Sequence, residues 1–209
     1  ALPFDKPWEG NWSAYTTVIK DGDNWRMYYR GLPGVGDEFE AVTCYAESKD
    51  GIDWTKPNLG LLEVMGSKNN NVILNEKEVW CHNFSPFLDT RSGVPQSERY
   101  KSIASNKKHG LVSFVSADGI RWRRNSDDFF FTDGMFDSHN VAFWSESEQL
   151  YVCYFRTWTG TEYSGFRTIA RTTSKDFIGW GPRVEMTYGD TAQEHLYTNG
   201  THPYERAPH

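Results

Sequence analysis

The sequence predicts an all-β chain and, within that class, a β-propeller, on three observations. A heptad Ser-X-Asp-X-X-X-Trp occurs three times, at 48–54, 116–122 and 174–180. Each copy follows two short runs rich in β-branched and aromatic residues separated by turn residues, the composition of paired strands. No long stretch carries the 3.6-residue apolar period of a helix. Successive heptad serines stand 68 and 58 residues apart (48 to 116, then 116 to 174). Common propeller blades repeat every ~40 to 50 residues, and longer hairpins stretch that period.

The elements follow in order. In the first unit the paired runs are 25–30 (Trp-Arg-Met-Tyr-Tyr-Arg) and 41–46 (Ala-Val-Thr-Cys-Tyr-Ala); in the second, 100–104 and 111–115; in the third, 150–155 and 166–170. One more strand, the innermost of its blade, is expected before each pair, at 14–19, 83–88 and 140–144. Each is followed by an acid at a turn, Asp21, Asp89 and Glu146, which the pattern assigns to solvent-exposed hairpins. In the heptad itself, Ser and Asp side chains cap a tight turn, Gly takes the positive-φ position where present, and Trp returns to pack between blades. Asp50, Asp118 and Asp176 are therefore read as fold staples, not as active-site acids. After the third heptad 29 residues remain, the approach to a fourth unit. The expectation is one propeller domain over 1–209, about three blades and part of a fourth, incomplete at its C-terminus.

Composition narrows the function classes. A net charge of −6 with no long basic stripe supplies no phosphate-neutralising surface, which argues against DNA and RNA. No apolar run approaches the ~18 to 20 residues of a membrane-spanning helix. The chain begins at Ala1 without an initiating Met, as a processed chain does, and a secreted or periplasmic location is expected. Cys44, Cys81 and Cys153 match neither a CxxC motif nor a zinc framework; Cys44 and Cys153 lie in strand-like runs and read as small core residues. Aromatic residues make up 16% of the chain, which suits a β-rich core and also supplies flat platforms for sugars.

The heptads resemble the Ser-X-Asp-(Leu/Phe/Gly)-X-X-Trp element of the five-bladed β-propeller glycoside hydrolases, families 32, 43 and 117. The run 136–144 (Phe-Asp-Ser-His-Asn-Val-Ala-Phe-Trp) and the closing run 204–209 (Tyr-Glu-Arg-Ala-Pro-His) are similar to those of uncharacterised bacterial proteins often labelled family-32-like. The resemblance implies a five-bladed fold and a glycoside hydrolase acting on an oligo- or polysaccharide, with a carbohydrate as partner. The chain departs from those families where their chemistry sits. It lacks the Asn-Asp-Pro-Asn-Gly, Arg-Asp-Pro and Glu-Cys motifs of family 32, and it has Asn83 and Asn140 where family 43 opens an inner strand with Asp-Pro. Neither fructan nor arabinan specificity carries over.

In such a propeller the inner strands point their first residues into a funnel on the axis, and glycosidic cleavage generally uses two carboxyl groups there. Asp137 is the first candidate, because it precedes an inner strand and breaks the repeat; Glu9 and Glu194 are the candidate partners. His82, Asn83, His139, Asn140, Arg156, His195 and Trp80 are candidate sugar-binding residues. Arg30, Arg156 and Arg171, at strand ends, suit a carboxylate or sulfate on an acidic sugar, and Trp8 and Trp158 are further stacking candidates. No ligand spacing supports a metal, and no cofactor is expected. The alternative is a non-catalytic carbohydrate-binding propeller, favoured by the missing Asp-Pro signatures. Exposed blade edges suggest self-association.

Overall fold

A computed structural model of the chain describes residues 2–34, 40–106, 109–161 and 163–204; of the closing run, 205–209 lie outside the described residues. Three antiparallel sheets form. The first holds β1 (Ala14–Asp21), β2 (Asn24–Gly31), β3 (Val42–Ser48) and β4 (Trp54–Thr55), with β5 (Val72–Asn75) added beside β3. The second holds β6 (His82–Leu88), β7 (Tyr100–Asn106), β8 (Gly110–Ser116) and β9 (Arg123–Arg124). The third holds β10 (Val141–Ser145), β11 (Leu150–Trp158), β12 (Arg167–Ser174) and β13 (Val184–Glu185). The first strand of each sheet is the innermost, and β6 lies against both β1 and β10. The expected inner strands are therefore the observed ones, and the fold is of the propeller type.

Packing follows from this arrangement. A middle strand covered on both faces by neighbouring blades has no polar face, and β8 (Gly-Leu-Val-Ser-Phe-Val-Ser) is buried at every position. One apolar core fills the gap between the first two sheets, with Tyr28 and Tyr45 facing Phe84, Val112 and Phe114. A second joins the last two, with Phe87 and Ile103 against Trp144, Tyr151, Phe155 and Phe177. Each such side chain contributes ~1.5 to 3 kcal/mol when fully buried. Cys44, Cys81 and Cys153 are buried free thiols, one in each apolar cluster.

The heptads act as the sequence suggests. In the first, Ser48 Oγ accepts from the backbone N–H of Asp50 and Gly51, Asp50 Oδ1 accepts from Ile52 and Asp53, and Trp54 Nε1 donates to Gly51 O. The second repeats every one of these bonds through Ser116, Asp118 and Trp122. The N–H groups of Asp53 and Ile52 hold the Asp50 carboxyl below its ordinary range, and those of Ile178 and Gly179 do the same for Asp176. Gly51 and Gly119 take φ of 76° and 73°; in the third heptad Phe177 takes 67°, a left-handed conformation unusual for an aromatic residue. Its fully buried ring, packed on Phe87, Tyr151 and Trp180, offsets that strain.

Of the three acids after the inner strands, Asp21 and Asp89 differ from the expectation of solvent-exposed hairpins. Asp21 is bonded by Tyr100 and Arg99 of the second sheet, and Arg26 stands 3.6 Å away. Asp89 is buried, accepts from Tyr151 of the third sheet at 2.6 Å and pairs with Lys101 at 3.0 Å. These acids close the seam between one blade and the next, which requires burial with full hydrogen bonding. Glu146, at the same place in the third sheet, is exposed.

Candidate functional site

At the start of β1 and of β6 the ladder slips. The register shifts between Ala14 and Thr17, and again between His82 and Ser85. Inside each bulge one residue has left-handed backbone, Tyr15 at φ 54° and Asn83 at φ 52°. Neither is glycine, so the conformation costs free energy, and bulges of this kind re-aim side chains beside functional sites. Tyr15 and Asn83 occupy the same position in successive inner strands, and both meet Arg30. The Arg30 guanidinium lies 4.8 Å over the Tyr15 ring and donates to Asn83 Oδ1 at 2.9 Å.

The third blade completes the cluster. Asn83 Nδ2 donates to Ser138 O at 2.8 Å, so β6 is tied directly to the segment before β10. His82, 3% exposed, places Nε2 3.1 Å from Asp137 Oδ1; its Nδ1 looks toward Glu76 Oε1 at 3.9 Å, too far for a hydrogen bond. The Asp137 side chain is 58% exposed. Asn140 anchors the turn by donating to Phe136 O and Ser138 O, while its Oδ1 is buried without a partner among the described residues. His139 stacks obliquely on Tyr15, and its Nε2 likewise has no partner among them. Burial pushes the His139 pKa down to about 4, so near neutrality the ring is uncharged.

A strandless segment from the C-terminal part of the chain crosses this region. Leu196 N–H bonds to Arg167 O, Ser138 Oγ bonds to Tyr197 O and to Thr198 Oγ1, and Asn199 Nδ2 donates to His139 O. Arg156, at the end of the β11 ladder nearest β10, is 4% exposed and lies 5.5 Å over the Tyr197 ring. Tyr15, Arg30, His82, Asp137, His139, Arg156 and Tyr197 thus gather in one cluster at the axial mouth, joined by these contacts and drawn from all three blades and the crossing segment.

Of the residues the sequence singled out, His82, Asn83, Asp137, His139, Asn140 and Arg156 come together here. Glu9 does not join them. It is fully buried in the first blade, bonded by Tyr29 and Lys56 at 2.6 Å each. Trp80 stacks on Phe129 at 4.6 Å and carries the Arg124 guanidinium, which places it in the packing of the second blade. Trp8 bonds Asn71 and packs on the first blade's core, and Arg171 pairs with Glu148 at 2.7 Å, away from the mouth. Glu194 lines a separate 910 Å³ cleft beside the third blade, with Trp158, Arg167, Tyr188 and Leu196. His195 accepts a bond from Arg167 N–H and packs edgewise on Trp158. Tyr15 and Tyr197 were not visible in the sequence as site residues. Laying the inner strands over one another would have matched Tyr15 to Asn83, whereas nothing local marks Tyr197. No cluster of three or more His, Cys, Asp or Glu suited to a metal occurs among the described residues, and no helix there is long and apolar enough to cross a membrane.

Comparison with known proteins agrees with the fold. No protein-family model matches the chain. A curated relative, the uncharacterized protein Rv1502 of Mycobacterium tuberculosis, is 30% identical over 118 residues, covering 55% of this chain and 35% of its own length. The chain thus spans about a third of the curated relatives it matches. Among solved structures, a glycosyl hydrolase from Bacteroides ovatus superposes with a TM-score of 0.55 at 15% identity, over 83% of this chain and 51% of its own. A structure from the GH130 family of mannoside phosphorylases, described as containing glycoside hydrolases that target β-1,2-mannosidic linkages in Candida mannan, gives 0.58 at 14% identity, over 99% and 58%. A fructofuranosidase from Schwanniomyces occidentalis complexed with fructosylnystose gives 0.56 at 14% identity, over 82% and 33%. The chain has the propeller fold of glycosidases of this kind.

Proposed function

We propose that the chain belongs to a glycoside hydrolase that binds an oligo- or polysaccharide at the axial mouth. The observation that carries this reading is Asp137: an exposed carboxylate, oriented by a buried histidine, standing among polar groups from three blades. His82 Nε2, 3.1 Å from Asp137 Oδ1, fixes the orientation of the carboxyl group. Asp137 then serves as the base or nucleophile of glycosidic cleavage. Glycosidic cleavage also takes a second carboxyl group, protonated to give its proton to the leaving oxygen; Glu9 lies under Lys56 as a structural acid, and Glu194 lines the separate cleft. Uncharged His139 and Asn140 follow Asp137 in the same turn and are the sugar-binding candidates beside it. His139 acts there through hydrogen bonds and not as a proton donor, since it holds only one proton at neutral pH. A five-bladed ring is the architecture this reading implies for the complete protein.

The alternative, a carbohydrate-binding propeller without turnover, is favoured by one observation. Glu9 and Glu194, the expected partners of Asp137, occupy a buried site in the first blade and a separate cleft. Incubation of the purified protein with plant, algal and host-type oligosaccharides, followed by mass spectrometry, separates the two. Hydrolysis predicts a new product that disappears in Asp137→Asn; saturable binding with no product from any sugar leaves the binding-only alternative.

A further inference from the structure

The charges at the mouth carry the reading further. Arg156 is 4% exposed, yet it has no ion pair or side-chain hydrogen bond among the described residues, only the ring of Tyr197. Arg26, Arg99, Arg171 and Arg183 each have a carboxylate oxygen within 4.0 Å. A buried guanidinium without a counter-charge is costly, and the usual remedy is a carboxylate or a bound anion. Arg30, the second cation, is half-buried and likewise lacks an ion pair among the described residues. Arg167, also without one, stands 5.4 Å over the same Tyr197 ring.

Two acids stand near these cations. Glu76 is turned inward: its Oε2 accepts from the backbone N–H of Ala41, and its Oε1 faces His82. Asp137 is the exposed one, and Arg30 lies within its field. His139 adds no charge near neutrality. Among the described residues, two carboxylates, Asp137 and the inward-turned Glu76, stand against three guanidinium groups, Arg30, Arg156 and Arg167, which leaves one surplus positive charge on planar donors. A guanidinium presents paired N–H groups that match a carboxylate or a sulfate in two-point contact.

We propose that the axial mouth selects an anionic sugar, holding the carboxylate of a uronic acid or the sulfate of a sulfated sugar on Arg156 and Arg30. This rests on the carbohydrate reading above and narrows it to a substrate class. Three matched sets of oligosaccharides test it by calorimetry: neutral, uronic and sulfated chains of equal length. Wild type is expected to bind at least one anionic set at least tenfold more tightly than the neutral set, with the preference shrinking as salt rises. Arg156→Met is expected to bring the anionic-to-neutral ratio to near one, Arg156→Lys to leave it intermediate, and Arg171→Met, at a pair far from the mouth, to leave it unchanged. The uronic and sulfated arms tell which anion is preferred. Equal affinity for neutral and anionic sets in wild type, or a ratio that survives Arg156→Met, overturns the proposal while leaving the carbohydrate reading in place. Failure to bind any of the three sets overturns both.

Discussion

The heptad turns and the axial mouth lie at different places in the same blades, and they handle polar groups in opposite ways. At the first two turns the pattern repeats bond for bond, Ser48 and Ser116, Asp50 and Asp118, Trp54 and Trp122 each meeting the equivalent backbone partner; the third keeps the Ser174 and Asp176 bonds, with Trp180 Nε1 buried and unpartnered among the described residues. At the mouth equivalent positions diverge. Tyr15 and Asn83 share a bulge but not a chemistry, and buried atoms of His82, His139 and Asn140 are left without partners. A repeat that satisfies its own polar groups needs nothing else and reports on folding. A place where the repeat breaks and leaves polar atoms unsatisfied keeps them at a cost in stability, and this supports the proposal that the mouth binds a ligand.

Substitutions at the two regions should separate accordingly. The largest effect is expected from Asp137→Asn, which should lower turnover by ~10²- to 10⁴-fold, the usual worth of a positioned acid or base, with the melting temperature nearly unchanged. Loss of folding with it would erase the distinction between turn and mouth. Next comes the acid dependence of stability. The folded-state pKa of His139 is pushed down from 6.5 to about 4, so its contribution is fully present above pH 6.5 and is lost as the pH falls toward 4, when the unfolded chain takes up a proton that the folded chain does not. Urea unfolding should therefore lose ~3 kcal/mol over that window, and His139→Gln should remove this share of the slope. An unchanged slope would mean that the His139 ring is solvated, against its burial beside Tyr15.

Smaller effects belong to the turns. Asp118→Ala should cost ~1 to 2 kcal/mol in urea unfolding, by releasing the N–H groups of Ile120 and Arg121, without changing sugar binding. A change in binding greater than in stability would make the heptads part of the site. The smallest is Arg171→Met, which removes a surface pair with Glu148 and should cost under ~1 kcal/mol.

The same contrast explains what could be read from the sequence. Each heptad is closed by residues within seven positions of one another, so spacing alone revealed its turn, and the alternation of strand runs gave the inner strands at their observed places. The roles of Asp21 and Asp89 could not be read this way, because Tyr100 and Tyr151, which bury them, come from the following blade, 79 and 62 residues away. Asp137, His82 and Asn83 were legible as departures from the repeat, but their meeting was not, since it depends on a β6 bulge and on contacts across 55 residues. Glu9 shows the limit of reading acids from position near a strand. Its fate was set by Lys56, 47 residues on, and by Tyr29, both of which face it inside the first blade. Arg156 is legible in the sequence only as a strand-end arginine; its lack of an ion pair among the described residues is a property of the assembled fold.

The central claim is that sugar binds at the axial mouth and not in the 910 Å³ cleft that holds Glu194. Histidine-selective NMR during titration with the neutral, uronic and sulfated oligosaccharides tests it most directly, because His82 and His139 line the mouth while His195 borders the cleft. The account predicts saturable shifts of the His82 and His139 ring signals with His195 unmoved. Shifts confined to His195, or none at any histidine with a sugar that the protein binds, would contradict it.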